Sequence, residues 1–163
     1  MKIYVDADAC PVKQEIMNIA GKYNIEVIFV ASYNHTSDKT YGGRWIFVDT
    51  GKEEADLYIV NHVQKSDLVI SQDIGLAGLL LRKDVIVVTP RGKRYTEANI
   101  DTALQFPYLS PMERRGGKYT KGPKKFTEEV TLNFITTMDF LRPNSSLLKT
   151  RLRWCRERIF FPQ

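Results

Sequence analysis

Five short apolar runs recur between residues 2 and 89: "KIYVD" (2–6), "IEVIFVA" (25–31), "RWIFVD" (44–49), "DLVIS" (67–71) and "VIVVT" (85–89). Each reads as a strand, and runs apolar throughout suit strands covered on both faces. Longer amphipathic stretches separate them. Pro11 suits the first turn of a helix running to about Lys22, with Ile16, Ile19 and Ala20 on one face. In 53–64, Ala55, Ile59 and Val63 recur at four-residue spacing, and Leu57 and Val60 widen the stripe, so this is a helix. Further helices are predicted over 74–82, 96–105 and 126–141. Strand and helix in alternation imply an α/β fold: a three-layer sandwich around a mainly parallel sheet. Residues 1–141 then form one domain, which includes a segment without periodicity at 107–125.

At 163 residues, 43% hydrophobic and 26% charged, the chain has the composition of an ordinary globular domain. No apolar run reaches the roughly 18 residues that would suggest a membrane span. Lys2 and Asp6 spoil any signal-peptide pattern, so a cytoplasmic location is expected by default. Cys10 and Cys155 lie far apart and read as two reduced thiols. The net charge of +5 is not spread evenly. From Arg142 to Gln163 six basic residues face one acid, Glu157, which accounts for the whole excess. The body balances to zero but is divided, with nine basic and three acidic residues between 91 and 125.

Ligands of open parallel sheets bind outside the carboxyl ends of the strands. Four acids map to that edge. Asp6 and Asp8 end the first strand, and residues two apart share a side if the chain is still extended. Asp56 lies in the first turns of the helix after strand three, and Asp73 follows strand four. Carboxylates gathered without histidine or cysteine favour hard cations, Mg²⁺ or Mn²⁺, which serve phosphodiester hydrolysis. Asp6 and Asp73 would be primary ligands, with Asp8 and Asp56 completing the shell or holding a water. Structural roles compete: Asp73 could cap a helix, and Asp56 could complement a helix dipole beside Glu53 and Glu54. His35 and His62 have no partner at metal-ligand spacing and read as surface or hydrogen-bonded residues. "IYVDADAC" also fits the opening of haloacid-dehalogenase-type phosphatases, with Asp6 as nucleophile. Against that reading, Cys10 stands where that family wants Thr or Val, and no later strand ends in a paired acid.

"YVDADACPVK", "ADLYIV", "SQDIGLA" and "ERRGGKYTKGPKKF", in that order, resemble the bacterial YaiI/YqxD family, related to PIN-like domains. The resemblance runs from residue 1 to about 141. It implies a PIN-like sheet of Rossmann-like topology, with carboxylates at the strand carboxyl ends. It also implies metal-dependent cleavage of RNA or another single-stranded nucleic acid, with Asp6, Asp8, Asp56 and Asp73 as the catalytic and metal-binding set. Two departures stand out. Where the family carries an aspartate early in the middle motif this chain has Glu53 or Glu54, and the tail 142–163 is an addition. The alternative is a nucleic-acid-binding module of the same fold that cleaves nothing.

"RGKRYT" (91–96) and "ERRGGKYTKGPKK" (113–125) interleave cations with Tyr95 and Tyr119. Guanidinium groups bind phosphate and tyrosine stacks on bases, so Arg91, Lys93, Arg94, Arg114, Arg115, Lys118 and Lys121 are the nucleic-acid-binding candidates. Gly116, Gly117 and Gly122 would let the backbone approach a ligand closely. Over 145–161, Leu148, Leu152, Cys155 and Ile159 recur at helical spacing, predicting a basic helix that packs on the body. No oligomeric state is indicated.

Overall fold

The computed structural model describes residues 1–33, 41–49, 51, 53–100 and 126–141. Its centre is a five-stranded, all-parallel sheet: β1 (Ile3–Asp6), β2 (Val27–Ser32), β3 (Arg44–Val48), β4 (Leu68–Ile70) and β5 (Ile86–Val88), in the order β3-β2-β1-β4-β5. The α/β three-layer fold expected from the sequence is the fold observed. Helices α1 (Lys13–Tyr23), α2 (Glu54–His62), α3 (Ile74–Leu81) and α4 (Glu128–Phe140) cover it, and a further helical turn begins at Glu97.

Alternation along each strand divides the apolar residues between two cores. Ile3, Val5, Phe29, Ile70 and Val88 face Ile16, Ile19 and Ala20 of α1 and Phe134 and Met138 of α4. Tyr4, Ile28, Val30, Val69 and Val87 face Ile59 of α2 and Leu76, Ala77 and Leu80 of α3. This two-sided burial is why the strands carry no polar alternation. The first helix begins two residues after Pro11. It ends at Asn24, whose left-handed backbone (φ 51°) lets its N–H reach the carbonyls of Ala20 and Gly21. Helix α3 starts where Asp73 accepts the Leu76 N–H at 2.8 Å, so the capping role open to Asp73 is realised.

The first strand, central in the sheet, pairs with β2 on one side and β4 on the other (Ile3 with Val27 and with Leu68). The connection after β1 runs to β2 and the one after β4 to β5, toward opposite edges, so a crevice opens between the carboxyl ends of β1 and β4. The opposite end is closed by Asp67, a buried acid whose two oxygens accept the Lys2 and Gln64 N–H groups at 2.8 and 2.9 Å. Past β5 the chain turns back, and Arg94 makes an antiparallel bridge to Val88. That turn sits on α4. The Asn133 amide donates to the Arg91 carbonyl and the Thr137 hydroxyl to the Gly92 carbonyl, at 2.8 and 3.0 Å. Gly92 is required there: its φ is +79°, and a Cβ would lie 2.8 Å from the Phe134 nitrogen. Among the described residues no helix is long and apolar enough to cross a membrane.

Candidate functional site

The chain does not stay extended beyond Asp6, as the same-side argument for Asp8 required. A single 3-10 turn, Ala7–Ala9, follows at once, and Asp8 reaches the carboxyl edge by that turn rather than by strand alternation. Both Asp8 oxygens lie 3.2 Å from the backbone nitrogen of Ser32 at the end of β2, which fixes the carboxylate across two strands. Asp56 enters from the first turn of α2 and Asp73 from the start of α3.

All four side chains line one open cleft of about 210 Å³, together with Ser32, Val48, Asp49, Gly51 and Ala55. Asp49 is a fifth acid that the sequence reading passed over, although it ends the third apolar run at the same sheet edge as Asp6. Among the described residues, no lysine, arginine or histidine lines the cleft. Burial pushes the Asp6 carboxyl up from its ordinary pKa, and the charges of Asp8 and Asp73 add to this against a hydrogen bond from Ser71. Asp56 is raised to about 6, first by burial and then by Asp73, Asp6 and Glu53. Asp73 is also felt behind the cleft, where it and burial together raise the phenol of buried Tyr95.

Ser71 is the second residue the sequence reading missed. It is 1% exposed at the end of β4. Its hydroxyl donates to Asp6 Oδ2 at 3.0 Å and accepts the Asp73 N–H at 3.0 Å. One side chain thus sets the spacing of the two acids that end β1 and follow β4. The signal was the hydroxyl two positions before Asp73, where a buried strand end leaves a polar group needing partners.

Among the described residues, no three acidic, histidine or cysteine side chains converge closely enough to form a ready-made metal cage. A hard cation still fits the donor set. Mg²⁺ keeps several of its waters and is commonly held by one or two carboxylates, so it needs no cage. The cleft offers five aspartates, one of them with a carboxyl raised to about 6, and among the described residues no lining cation.

The other candidates lie elsewhere. The guanidinium of Arg91 sits over the Phe126 ring, 5.1 Å from its centroid, and neither it nor Lys93 or Arg94 lines the cleft. Arg114, Arg115, Lys118 and Lys121, with Tyr119 and the neighbouring glycines, lie outside the described residues, as do His35, Cys155 and the tail 142–163. His62 is an exposed, hydrogen-bonded residue: its Nδ1 is 2.8 Å from the Tyr58 carbonyl and its ring stacks on Tyr58. Cys10 is buried, and desolvation pushes its thiol up to about 12, which leaves no thiolate for chemistry.

The chain is 50% identical over 143 residues to the UPF0178 protein Bcer98_3021 of Bacillus cytotoxicus, covering 88% of this chain and 93% of that one. It is 51% identical over 128 residues to the UPF0178 protein lwe1471 of Listeria welshimeri, covering 78% and 86%. Among solved structures, Rae1 (YacP) from Bacillus subtilis aligns over 95% of this chain and 99% of its own, with a TM-score of 0.42 and 13% identity. A family model described as "Uncharacterized BCR, YaiI/YqxD family" matches residues 4–142, which takes in all of the sheet but Ile3 and every acid of the cleft. The chain belongs to the YaiI/YqxD family.

Proposed function

We propose that the chain is a metal-dependent nuclease of PIN-like type that hydrolyses phosphodiester bonds in RNA or another single-stranded nucleic acid. One observation carries this reading: aspartates from three strand ends and one helix share a cleft that no cationic side chain among the described residues lines. Burial alone would favour neutral carboxyls, but Asp6 is held by donors that favour the ionised form, the Ser71 hydroxyl and the Asp8 backbone. Such a pocket spends stability to keep negative charge available.

Asp6 and Asp73 would hold Mg²⁺ or Mn²⁺, with Asp8, Asp49 and Asp56 completing the shell or orienting waters. Bound there, the cation supplies charge stabilisation at the phosphate and makes water a competent nucleophile near neutral pH. The chain itself orients the acids. Ser71 fixes the Asp6 Oδ2, the α3 cap engages Asp73 through Oδ1, and the Ser32 N–H holds Asp8. Arg91, Lys93, Arg94, Arg114, Arg115, Lys118 and Lys121 would carry the flanking phosphates.

The test is cleavage of labelled single-stranded RNA in Mn²⁺, Mg²⁺ or EDTA by wild type and Asp6→Asn. Metal-dependent cutting that falls at least a hundredfold in the variant is the expected result. Folded wild-type protein that retains RNA but never cuts it would make the chain a binding module. Hydrolysis of small phosphate monoesters with beryllofluoride trapped on Asp6 would instead favour the phosphatase reading.

A further inference from the structure

On the α1 side of the cleft the surface changes from carboxylate to aromatic. Tyr33 directly follows Ser32, the residue that holds Asp8, and it is 56% exposed. It does not stand alone. Its ring stacks on Phe47, Phe47 on Trp45 and Trp45 on Phe29, with centroids 6.1, 5.9 and 4.7 Å apart and interplanar angles of 14–25°. Phe29 belongs to the core, so the series runs from a fully buried ring to an exposed one. Phe47 packs with the core on the α1 face, while its neighbour Val48 turns to the α2 face and lines the cleft.

Tyr41, on the approach to β3, is 37% exposed, and the ammonium of Lys13 lies 6.0 Å from its ring centroid. Lys13 opens α1, the helix that follows the turn bearing Asp8, and so brings its end of the pair toward the carboxyl edge. Two exposed phenols and a cation thus lie near a cleft of five aspartates along the chain, Tyr33 directly after Ser32 and Lys13 five residues after Asp8, both of which line it. A protein partner would call for a broad contiguous apolar patch. Flat rings beside a cation suit an unstacked base and its phosphate instead. Tyr33 is already stacked from below, so a base added above it orders little that is not ordered already.

We infer that Tyr33 and Tyr41 form a base-stacking rim for a single-stranded nucleic acid whose phosphate enters the acid cleft. The inference rests on the nuclease reading for its ligand class, and it adds the side from which the strand arrives. Lys13 neutralises a phosphate on that path.

The experiment is a titration of the full chain, in Mn²⁺, with a single-stranded oligonucleotide containing 2-aminopurine and hydrolysis-resistant phosphorothioate linkages. Wild type and Tyr33→Phe/Tyr41→Phe should quench the probe to similar extents, because phenylalanine keeps the stacking face. Tyr33→Ala/Tyr41→Ala should lose the quench and bind at least fivefold more weakly, with an unchanged circular dichroism spectrum. Equal quenching and affinity in the alanine variant, or no quench with wild type, overturns the inference. Metal-dependent cutting of ordinary RNA is measured alongside. If it persists while the alanine variant binds as wild type does, the nuclease stands and the rim falls. If the rim behaves as expected but nothing is cut, the rim belongs to a binding module and the nuclease falls.

Discussion

Asp6 answers two opposing demands: burial and two neighbouring carboxylates raise its pKa, while the Ser71 hydroxyl holds its charged form. Asp56 feels the first demand more plainly and reaches about 6. A carboxyl raised above its unfolded value of about 3.9 contributes stability that is complete below that value and is lost as pH rises through the folded pKa. In EDTA, the stabilising effect of Asp56→Asn relative to wild type should therefore grow between about pH 4 and pH 6, read as the difference in Tm across a pH series. A difference that stays flat would mean Asp56 is not strained in the folded protein. Ser71→Ala should leave both Asp6 Oδ2 and the Asp73 N–H without their partner, at a cost of about 1–3 kcal/mol in urea unfolding, and should loosen the two acids together. Ser71→Thr, which keeps the hydroxyl, should recover cleavage better than stability, because its extra methyl meets a packed site.

Between elements, the turn after β5 is tied to α4 by backbone acceptors and by a glycine with no room for a Cβ. Gly92→Ala should cost about 2 kcal/mol or more, from the left-handed backbone and the 2.8 Å contact with α4, as a fall in denaturant midpoint at unchanged slope. Phe134→Ala, in the α4 face beneath that turn, should cost about 3–5 kcal/mol by cavity formation. Elements of this kind were legible in the sequence because burial on both faces writes itself as unbroken apolar runs and helix faces as four-residue spacing. Each expected strand is present within two residues of its predicted ends, and so is α3. What the runs do not encode is how the ends turn. The 3-10 turn at Ala7–Ala9 has no hydrophobic period to announce it, and so Asp8 reached the right edge for a different reason. Asp49 was within reach of the same strand-end rule that found Asp6 and Asp73. The surroundings of the basic cluster were not legible either: nothing in 91–94 announces that the Arg91 guanidinium lies over the Phe126 ring.

For the molecule as a whole, a cleft of like charges makes cation binding and folding one equilibrium. A cation that binds only the folded state stabilises it by mass action, by about 2.7 kcal/mol at a hundred times its dissociation constant, and so raises Tm. Mn²⁺ should raise Tm at pH 7.5 and raise it less at pH 4.5, where protons compete for Asp56 and Asp6. Asp6→Asn should remove most of that shift. An equal shift at both pH values, or in the variant, would place the cation elsewhere. The strand order has a further consequence, for synthesis. The central strand is made before both of its neighbours, β2 after α1 and β4 only after α2. Asp6 leaves the ribosome early but meets Ser71, 65 positions on, only when β4 has emerged and docked. Long-range pairings of this kind close late in folding. A growing chain thus carries Asp6 and Asp8 well before it has a cleft to put them in.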